Sequence, residues 1–167
     1  MIFAEKCIMI SNVYVQRILN TYNKKNFDYY NKIMVNPTIG ELERKISQRV
    51  STLYNDKIGR RPTQITCHFF NSELVISLEN SVSQIEQTLL EAGHEGLAEQ
   101  IRTLLDKIIK PQLKIILEEV IGKPITDLMS NTSLVTGRTG IVVVLDQLPE
   151  VRNPESIPKA NWKNVAD

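Results

Sequence analysis

The sequence predicts an α+β fold in two layers, with a four-stranded, mainly antiparallel sheet that helices cover on one face. Two segments of alternating apolar residues each contain a turn signal, which is typical of β-hairpins. A long stretch with apolar residues three and four positions apart separates them, and a shorter one precedes the first. The predicted order is therefore helix, hairpin, long helical region, hairpin.

Length and composition are those of an ordinary globular protein. The 167 residues suffice for one domain with a sizeable core, and 42% of them are hydrophobic and 23% charged. A net charge of +1 gives no overall field that would attract nucleic acid or an acidic membrane. Cys7 and Cys67 show no paired spacing, which fits a reducing cytosol. Because no apolar run reaches the roughly 18 residues of a membrane span, we expect a cytoplasmic protein.

Three segments differ in composition. Residues 1–33 are rich in Asn, Tyr and Lys, and we interpret them as an upstream extension, with Met34 as the natural initiator. The alternative is a genuine N-terminal helix that docks on the domain. Residues 34–147 carry the periodic patterns and form the predicted domain. Residues 148–167 contain prolines and little periodic apolar content, which predicts an extended or disordered tail.

The first helix has clear start and stop signals. Thr38 and Glu41 have the capping-box spacing, in which each side chain bonds a free amide at the helix start. Gly59 marks the end, since glycine readily closes a helix in the left-handed conformation. The apolar residues between these signals share one stripe: Ile39, Leu42, Ile46, Val50 and Leu53.

The first hairpin is predicted for residues 63–79. Asn71-Ser72 is a plausible two-residue turn between its strands. The apolar positions alternate along both strands: Ile65, Cys67, Phe69, Leu74, Ile76 and Leu78.

The long helical region opens with a second capping box, Ser83 and Glu86, and Gly93 is predicted to break it. Pro111 predicts a kink or a restart near Lys110, because proline removes a helix hydrogen bond. The expected buried stripes are Ile85, Leu89 and Leu90, then Leu97, Ile101, Leu104, Leu105 and Ile108, and after the proline Leu113, Ile116, Leu117 and Val120.

The second hairpin is predicted from strands at residues 125–130 and 139–146, joined by a Thr-, Ser- and Gly-rich loop at residues 131–138. Residues 63–70 and 139–146 are apolar on both sides of the strand, so the second face of the sheet needs cover. We expect a homodimer, through this face or a strand edge, to supply it. The alternative is cover by the N-terminal segment or the tail of the same chain.

Basic residues supply the candidate binding groups. Lys57, Arg60 and Arg61 cluster after the first helix and are candidates for a phosphate, a lipid headgroup or an acidic partner. Their alternative role is to complement the helix C-terminus, worth about 0.3–1 kcal/mol. Arg138 lies in a glycine-bearing loop that presents amides to an anion or serves as a structural turn. Trp162, in the tail, is a candidate anchor for a protein partner.

The sequence gives no catalytic or metal-binding pattern. Cys67 and His68 are adjacent in a predicted strand and point to opposite faces, and His94 has no ligand-type neighbour. We expect Cys67 to be a small core residue. The glutamates of the helical region, including Glu86, are interpreted as solvated helix faces. We therefore expect that the protein is not an enzyme and has no catalytic residue, bound metal or cofactor.

Two short motifs carry a family resemblance. Gly59-Arg60-x-Pro62 and Ser130-Asn131-x-Ser133-x-x-Thr136-Gly137, with the order of elements, resemble the MpsC-like family over about residues 38–147. Arg61 stands where the family has glycine, and residues 151–155 resemble a cyanobacterial version of the family. The family is named after a sodium-translocating, membrane potential-generating system.

The resemblance implies a non-catalytic accessory or regulatory protein of an ion-translocating or inorganic carbon uptake system, peripheral to the membrane through a protein partner. The alternative is a small cytosolic module that binds nucleic acid or a phosphate-bearing ligand through Lys57, Arg60, Arg61 and Arg138. The near-neutral charge argues against nucleic acid. A salt titration separates the two, because phosphate contacts weaken steeply with salt.

Overall fold

The computed structural model describes residues 36–159. The predicted extension at residues 1–33, Met34 and Trp162 lie outside these residues. In chain order the elements are α1 (Ile39–Ile58), β1 (Gln64–Phe70), β2 (Glu73–Glu79), α2 (Gln84–Glu91), α3 (Glu95–Ile121), β3 (Ile125–Ser133), β4 (Arg138–Leu145) and a 3₁₀ turn (Pro154–Ser156). The α+β prediction and its element order are confirmed.

Helix α1 begins and ends at the predicted signals. Glu41 N donates to Thr38 Oγ1, and Thr38 N donates to Glu41 Oε2 at 2.7 Å, so the capping box is complete. Gly59 closes the helix at φ 75°, where its N–H donates to Asn55 O. The buried face consists of Leu42, Ile46, Val50, Leu53 and Tyr54.

The four described strands form one sheet, antiparallel throughout, in the order β1-β2-β4-β3. The β1–β2 turn is Asn71-Ser72 as predicted, and Asn71 adopts φ 49°, which asparagine tolerates in tight turns. The β3–β4 hairpin is longer than predicted. Residues 131–133 continue β3, and the connection shrinks to residues 134–137.

Helices α2 and α3 bury different residues from those the sequence predicts. On α2, Ile85 is 65% exposed and the buried residue is Glu86. On α3, Leu97, Leu104 and Ile108 are exposed. Before Pro111 the buried residues of α3 lie one position further along, at Ala98, Arg102 and Ile109, whereas Leu113 and Leu117 after the proline are buried as predicted. The predicted stripes before Pro111 are wrong because the buried side of α2 and α3 carries an ion pair, Glu86 with Arg102, at positions that the apolar stripes do not include.

Helix α3 continues through Pro111 as one element of 27 residues, so of the predicted kink or restart near Lys110 the restart is wrong. The pyrrolidine ring lies on the exposed side of the helix. Ile109 and Leu113, on either side of it in sequence, are buried in the core and hold both halves of the helix on the sheet.

The core lies between the helices and one face of the sheet. Cys67 and Phe69 from β1, Leu74 and Ile76 from β2 and Val143 from β4 contribute to it, together with the buried faces of α1 and α3. The other face, which we call the open face, carries Phe70, Val75 and Met129 at 40%, 43% and 50% exposure. Val75 pairs with Val142 and Val142 with Met129, so apolar residues run across the sheet on this side.

Residues 148–159 pack on the domain, which corrects the prediction of an extended or disordered tail for that part. Val151 and Ile157 are buried in the main core. Asn153 Oδ1 accepts from Ile39 N at 2.9 Å, at the start of α1. Pro158 O accepts from Asn71 N at the β1–β2 turn. The tail therefore fastens the first helix and the first hairpin.

Candidate functional site

The four described candidate basic residues divide among different places. Arg60 Nη1 donates to Gln87 Oε1 at 2.9 Å, which links the end of α1 to α2. Arg138 Nη2 pairs with Glu79 Oε1 at 3.0 Å across the β2–β4 register. Lys57 and Arg61 are exposed. The four residues therefore do not form one basic patch.

Of these four residues, Arg138 alone lines the first cleft, which has a volume of about 700 Å³. Gln87, the partner of Arg60, lines it as well. Glu79 and Glu91 also line it, so carboxylates offset the charge of Arg138. This first cleft is polar without being basic, and it does not favour a phosphate.

One wall of the first cleft is the turn at residues 134–137, which we call the β3–β4 turn. Gly137 adopts φ 68° and its N–H donates to Ser133 O at 2.8 Å, so glycine closes the turn in a conformation that other residues rarely adopt. Ser133 Oγ accepts from Thr136 N. Gly137 O accepts from both N and Oγ of Ser81, at 2.8 and 3.1 Å. The turn is therefore fastened to the segment between β2 and α2.

Beneath this turn lies a buried ion pair. Glu86 is 0% exposed and Arg102 6%. Arg102 Nε donates to Glu86 Oε1 at 2.7 Å, and Nη2 donates to Oε2 at 2.9 Å. Glu86 Oε2 also accepts from Ser83 N at 2.7 Å, as the carboxylate of the predicted capping box. One carboxylate thus caps α2 and neutralises an arginine of α3.

The interpretation of Glu86 as part of a solvated helix face was therefore wrong. The missed signal is Arg102, which stands on the α3 stripe between Ala98 and Ile109 at helical spacing. A lone arginine on an apolar stripe requires a buried acceptor. The capping-box glutamate of the preceding helix is that acceptor.

A chain of hydroxyls connects the ion pair with the sheet. Ser81 Oγ lies 2.6 Å from Thr139 Oγ1, which lies 2.7 Å from Thr132 Oγ1. Arg102 Nη2 donates to Ser81 O at 3.3 Å. Tyr54 of α1 enters the same region, where burial raises its pKa to about 12 while Arg102 acts in the opposite direction. The end of the domain that carries the β3–β4 turn is thus supported by a dense polar network.

A second cleft, of about 460 Å³, lies on the other side of the β3–β4 turn. Arg102 and Asp106 line it, with Asn131, Thr132 and Ser133 from β3. Arg102 Nη1 is 3.6 Å from Asp106 Oδ1 and makes no hydrogen bond with the described part of the chain. Burial raises the pKa of Asp106, and Arg102 opposes the rise. Leu134 and Val135 line both clefts, and Val135 is 92% exposed.

A third depression, of about 420 Å³, runs between α1 and the edge strand β1. Arg61 lines it together with Arg44, which the sequence reasoning missed, and with hydroxyl side chains. No carboxylate is among its lining residues, in contrast to the first two clefts. We call it the Arg44–Arg61 groove.

In chemical terms, the described residues provide side chains suited to binding a partner or ligand. Cys67 is buried, and burial raises its pKa to about 11, which makes its thiol a poor nucleophile at neutral pH. Within residues 36–159, no three His, Cys, Asp or Glu side chains come together as a metal site would require. What the geometry presents instead is a braced turn with an apolar tip between two polar clefts.

Residues of both sequence motifs bond to groups around the first cleft, since Arg60 donates to Gln87 in its lining, and Ser133, Thr136 and Gly137 build the β3–β4 turn. The family model described as "Na+-translocating membrane potential-generating system (MpsC)" matches residues 38–147, more than half of the chain. The chain belongs to the MpsC family. No curated protein and no solved structure shows significant similarity to it.

The MpsC family description links the chain to a membrane potential-generating system. Among residues 36–159, none of the helices combines the length and the hydropathy that crossing a bilayer requires.

Proposed function

We propose that this MpsC protein is a non-catalytic, cytosolic accessory or regulatory component of a membrane ion-translocating system, and that it acts by binding another protein of that system. The family description supports the link to Na+ translocation. The observation that carries the binding role is the β3–β4 turn, where Val135 is 92% exposed between two polar clefts.

The turn has the features of a preorganised contact. Its backbone is held by Ser81 and Ser133, so ordering it on binding costs little conformational entropy. An exposed apolar tip surrounded by polar groups is also the usual arrangement of a binding hot spot with its rim. Ser133, Thr136 and Gly137 of the second sequence motif contribute to this support, which gives them a structural role.

The test is affinity purification of the tagged full chain from solubilised native membranes. We expect subunits of an ion-translocating complex to co-purify, and inorganic carbon transporter subunits if that system is the one served. Val135→Asp should lower their yield roughly fivefold or more. Leu148→Asp is the matched control, because Leu148 is an exposed apolar residue outside both clefts.

A physiological measurement complements the affinity purification. Cells that lack the protein should show a reduced membrane potential with a potential-sensitive dye, restored by the wild-type chain and not by Val135→Asp. An unchanged potential, together with no transport subunit among the co-purifying proteins, would contradict the proposal.

A second candidate function has its own support. The Arg44–Arg61 groove combines two arginines with hydroxyl side chains and no carboxylate, which fits a small phosphate-bearing ligand. Inorganic phosphate should then bind the wild-type chain with strong salt dependence and lose affinity in Arg44→Ala with Arg61→Ala. Lys57→Ala serves as the control. Binding unaffected by the double substitution would rule this function out.

A homodimer is the proposed assembly. The open face exposes Phe70, Val75 and Met129, and a second copy would cover them by pairing the same faces across a twofold axis.

A further inference from the structure

Helix α3 has a second apolar face that the core does not use. Leu97, Leu104, Ile108 and Ile115 are 49%, 60%, 52% and 56% exposed. With the half-buried Ile101 and the exposed Pro111 they form a continuous row, which we call the α3 seam. A different set of residues on the same helix is buried, which includes Ala98, Ile109, Leu113 and Leu117.

The spacing of the α3 seam identifies the kind of surface it fits. Its six members follow one another at intervals of four, three, four, three and four residues. This is the a/d spacing of a heptad repeat, whose mean period of 3.5 residues keeps a row of side chains facing a second helix. At about 1.5 Å per residue the row is roughly 27 Å long, or about five helical turns. A lipid surface or a flat protein surface would not require this period.

Charged residues at the edge of the α3 seam further restrict the kind of partner that fits it. Lys107 and Lys114 each precede an a/d-type residue by one position, where coiled-coil helices place the charged residues that choose a partner. Lys107 is exposed, and Lys114 lies 4.0 Å from Glu118 of its own helix. If the occupant were a second copy of this chain, an antiparallel helix pair would place Lys107 against the same lysine of the other copy. A parallel helix pair would place Lys107 against the neutral Gln112. An acidic flank would meet both lysines with opposite charge.

We propose that the α3 seam binds an amphipathic helix of another protein, with apolar residues at heptad spacing and acidic residues beside them. The inference does not depend on the proposed function or on the β3–β4 turn. One face of α3 then packs in the core, and the adjoining face pairs with the helix of the other protein.

The test uses a fluorescent four-heptad peptide with Leu and Ile at a and d and Glu at e and g, and a matched peptide with Lys at e and g. The full-length chain should bind the acidic peptide saturably and roughly tenfold more tightly than the basic one. Leu104→Ser with Ile108→Ser should weaken this binding at least tenfold, with an unchanged melting temperature because both side chains are exposed. Leu148→Ser, which changes an exposed apolar residue outside α3, should have no effect.

The two lysines beside the α3 seam are tested separately. Lys107→Glu with Lys114→Glu should reverse the preference, so that the basic peptide binds more tightly. Equal binding of the two peptides, or no saturable binding of either, would overturn the proposal. So would a dimer that the two serine substitutions dissociate, which would assign the α3 seam to a second copy. Binding to anionic phospholipid vesicles that the same substitutions abolish would assign it to lipid instead.

Discussion

Glu86 of α2 and Arg102 of α3 form a buried contact between two charged side chains. Both are buried, and they share two short hydrogen bonds. Removing two charges from water costs several kcal/mol for each ion, and their attraction and hydrogen bonds roughly offset that cost. The pair as a whole therefore contributes little net stability, whereas either charge alone would be strongly unfavourable.

Single substitutions of this pair should be much more damaging than the double substitution. We expect Glu86→Leu or Arg102→Met alone to lower the free energy of unfolding by about 3–5 kcal/mol, and the double variant to recover most of the loss. Urea denaturation measures each value. Glu119→Ala, which breaks the exposed pair with Arg49, should cost less than about 1 kcal/mol. A single variant at Glu86 as stable as Glu119→Ala would contradict the assignment.

The titration of two buried groups predicts a loss of stability in alkali. Burial raises the pKa of Cys67 to about 11 and of Tyr54 to about 12. In the unfolded chain these groups lose their protons near their ordinary values of about 8.5 and 10. Their contribution is therefore fully present below about pH 8.5 and is lost as the pH rises towards 11 to 12, in total by several kcal/mol.

Thermal melts between pH 7 and 11 measure this loss. The melting temperature of Cys67→Val should change less with pH than that of the wild type between pH 9 and 11, because the substitution removes the first of the two titrating groups. A wild-type melting temperature that stays constant to pH 11 would show that neither group is held neutral by the fold.

Among the elements, α1 and the first hairpin could be predicted from the sequence, whereas the outward face of α3 could not. The signals of α1 are local, because Thr38, Glu41 and Gly59 act within a turn of the helix ends. The α3 helix carries two adjacent apolar rows, and periodicity alone does not tell which one is buried. The decision depends on the contact between Arg102 and Glu86, 16 residues away.

The β3–β4 hairpin shows a second limit of sequence reasoning. Asn131, Thr132 and Ser133 have the composition of a loop, yet each pairs with a residue of β4. Neighbouring contacts override weak propensity in strands, where packing against cross-strand neighbours decides. The candidate residues Arg60 and Arg138 were found by their charge, whereas Glu86 and Arg44 depended on tertiary contacts that single-sequence patterns do not contain.

The proline inside α3 should be a site where stability can be gained. Pro111 is exposed, and a helix interior disfavours proline by about 3 kcal/mol relative to alanine. We expect Pro111→Ala to raise the free energy of unfolding by about 1–3 kcal/mol, measured by urea denaturation. Gln112→Ala, at the next position, should change it by no more than a few tenths of a kcal/mol. A destabilised Pro111→Ala would mean that the fold depends on the proline.

For the whole molecule, the prediction is a dimer through the open face. Phe70, Val75 and Met129 supply exposed apolar surface there. Light scattering on the full-length chain should give the mass of two copies, and Val75→Lys with Met129→Lys should give one, with the fold retained. Lys57→Glu, an exposed position at the end of α1, is the control for altered charge. A wild-type chain that remains monomeric at high concentration would contradict the prediction.

The order of the strands has a consequence for how the chain reaches this structure. The central pairing joins Leu74 to Val143, roughly 70 residues apart, whereas each hairpin closes locally. During synthesis the first hairpin therefore emerges long before β4 exists, with its β2 edge unpaired. A lone two-stranded ribbon is marginal in water, and an open edge recruits other strands. We expect the nascent chain that ends before β4 to be the species most prone to aggregate, and the joining of the two hairpins to set the rate of folding.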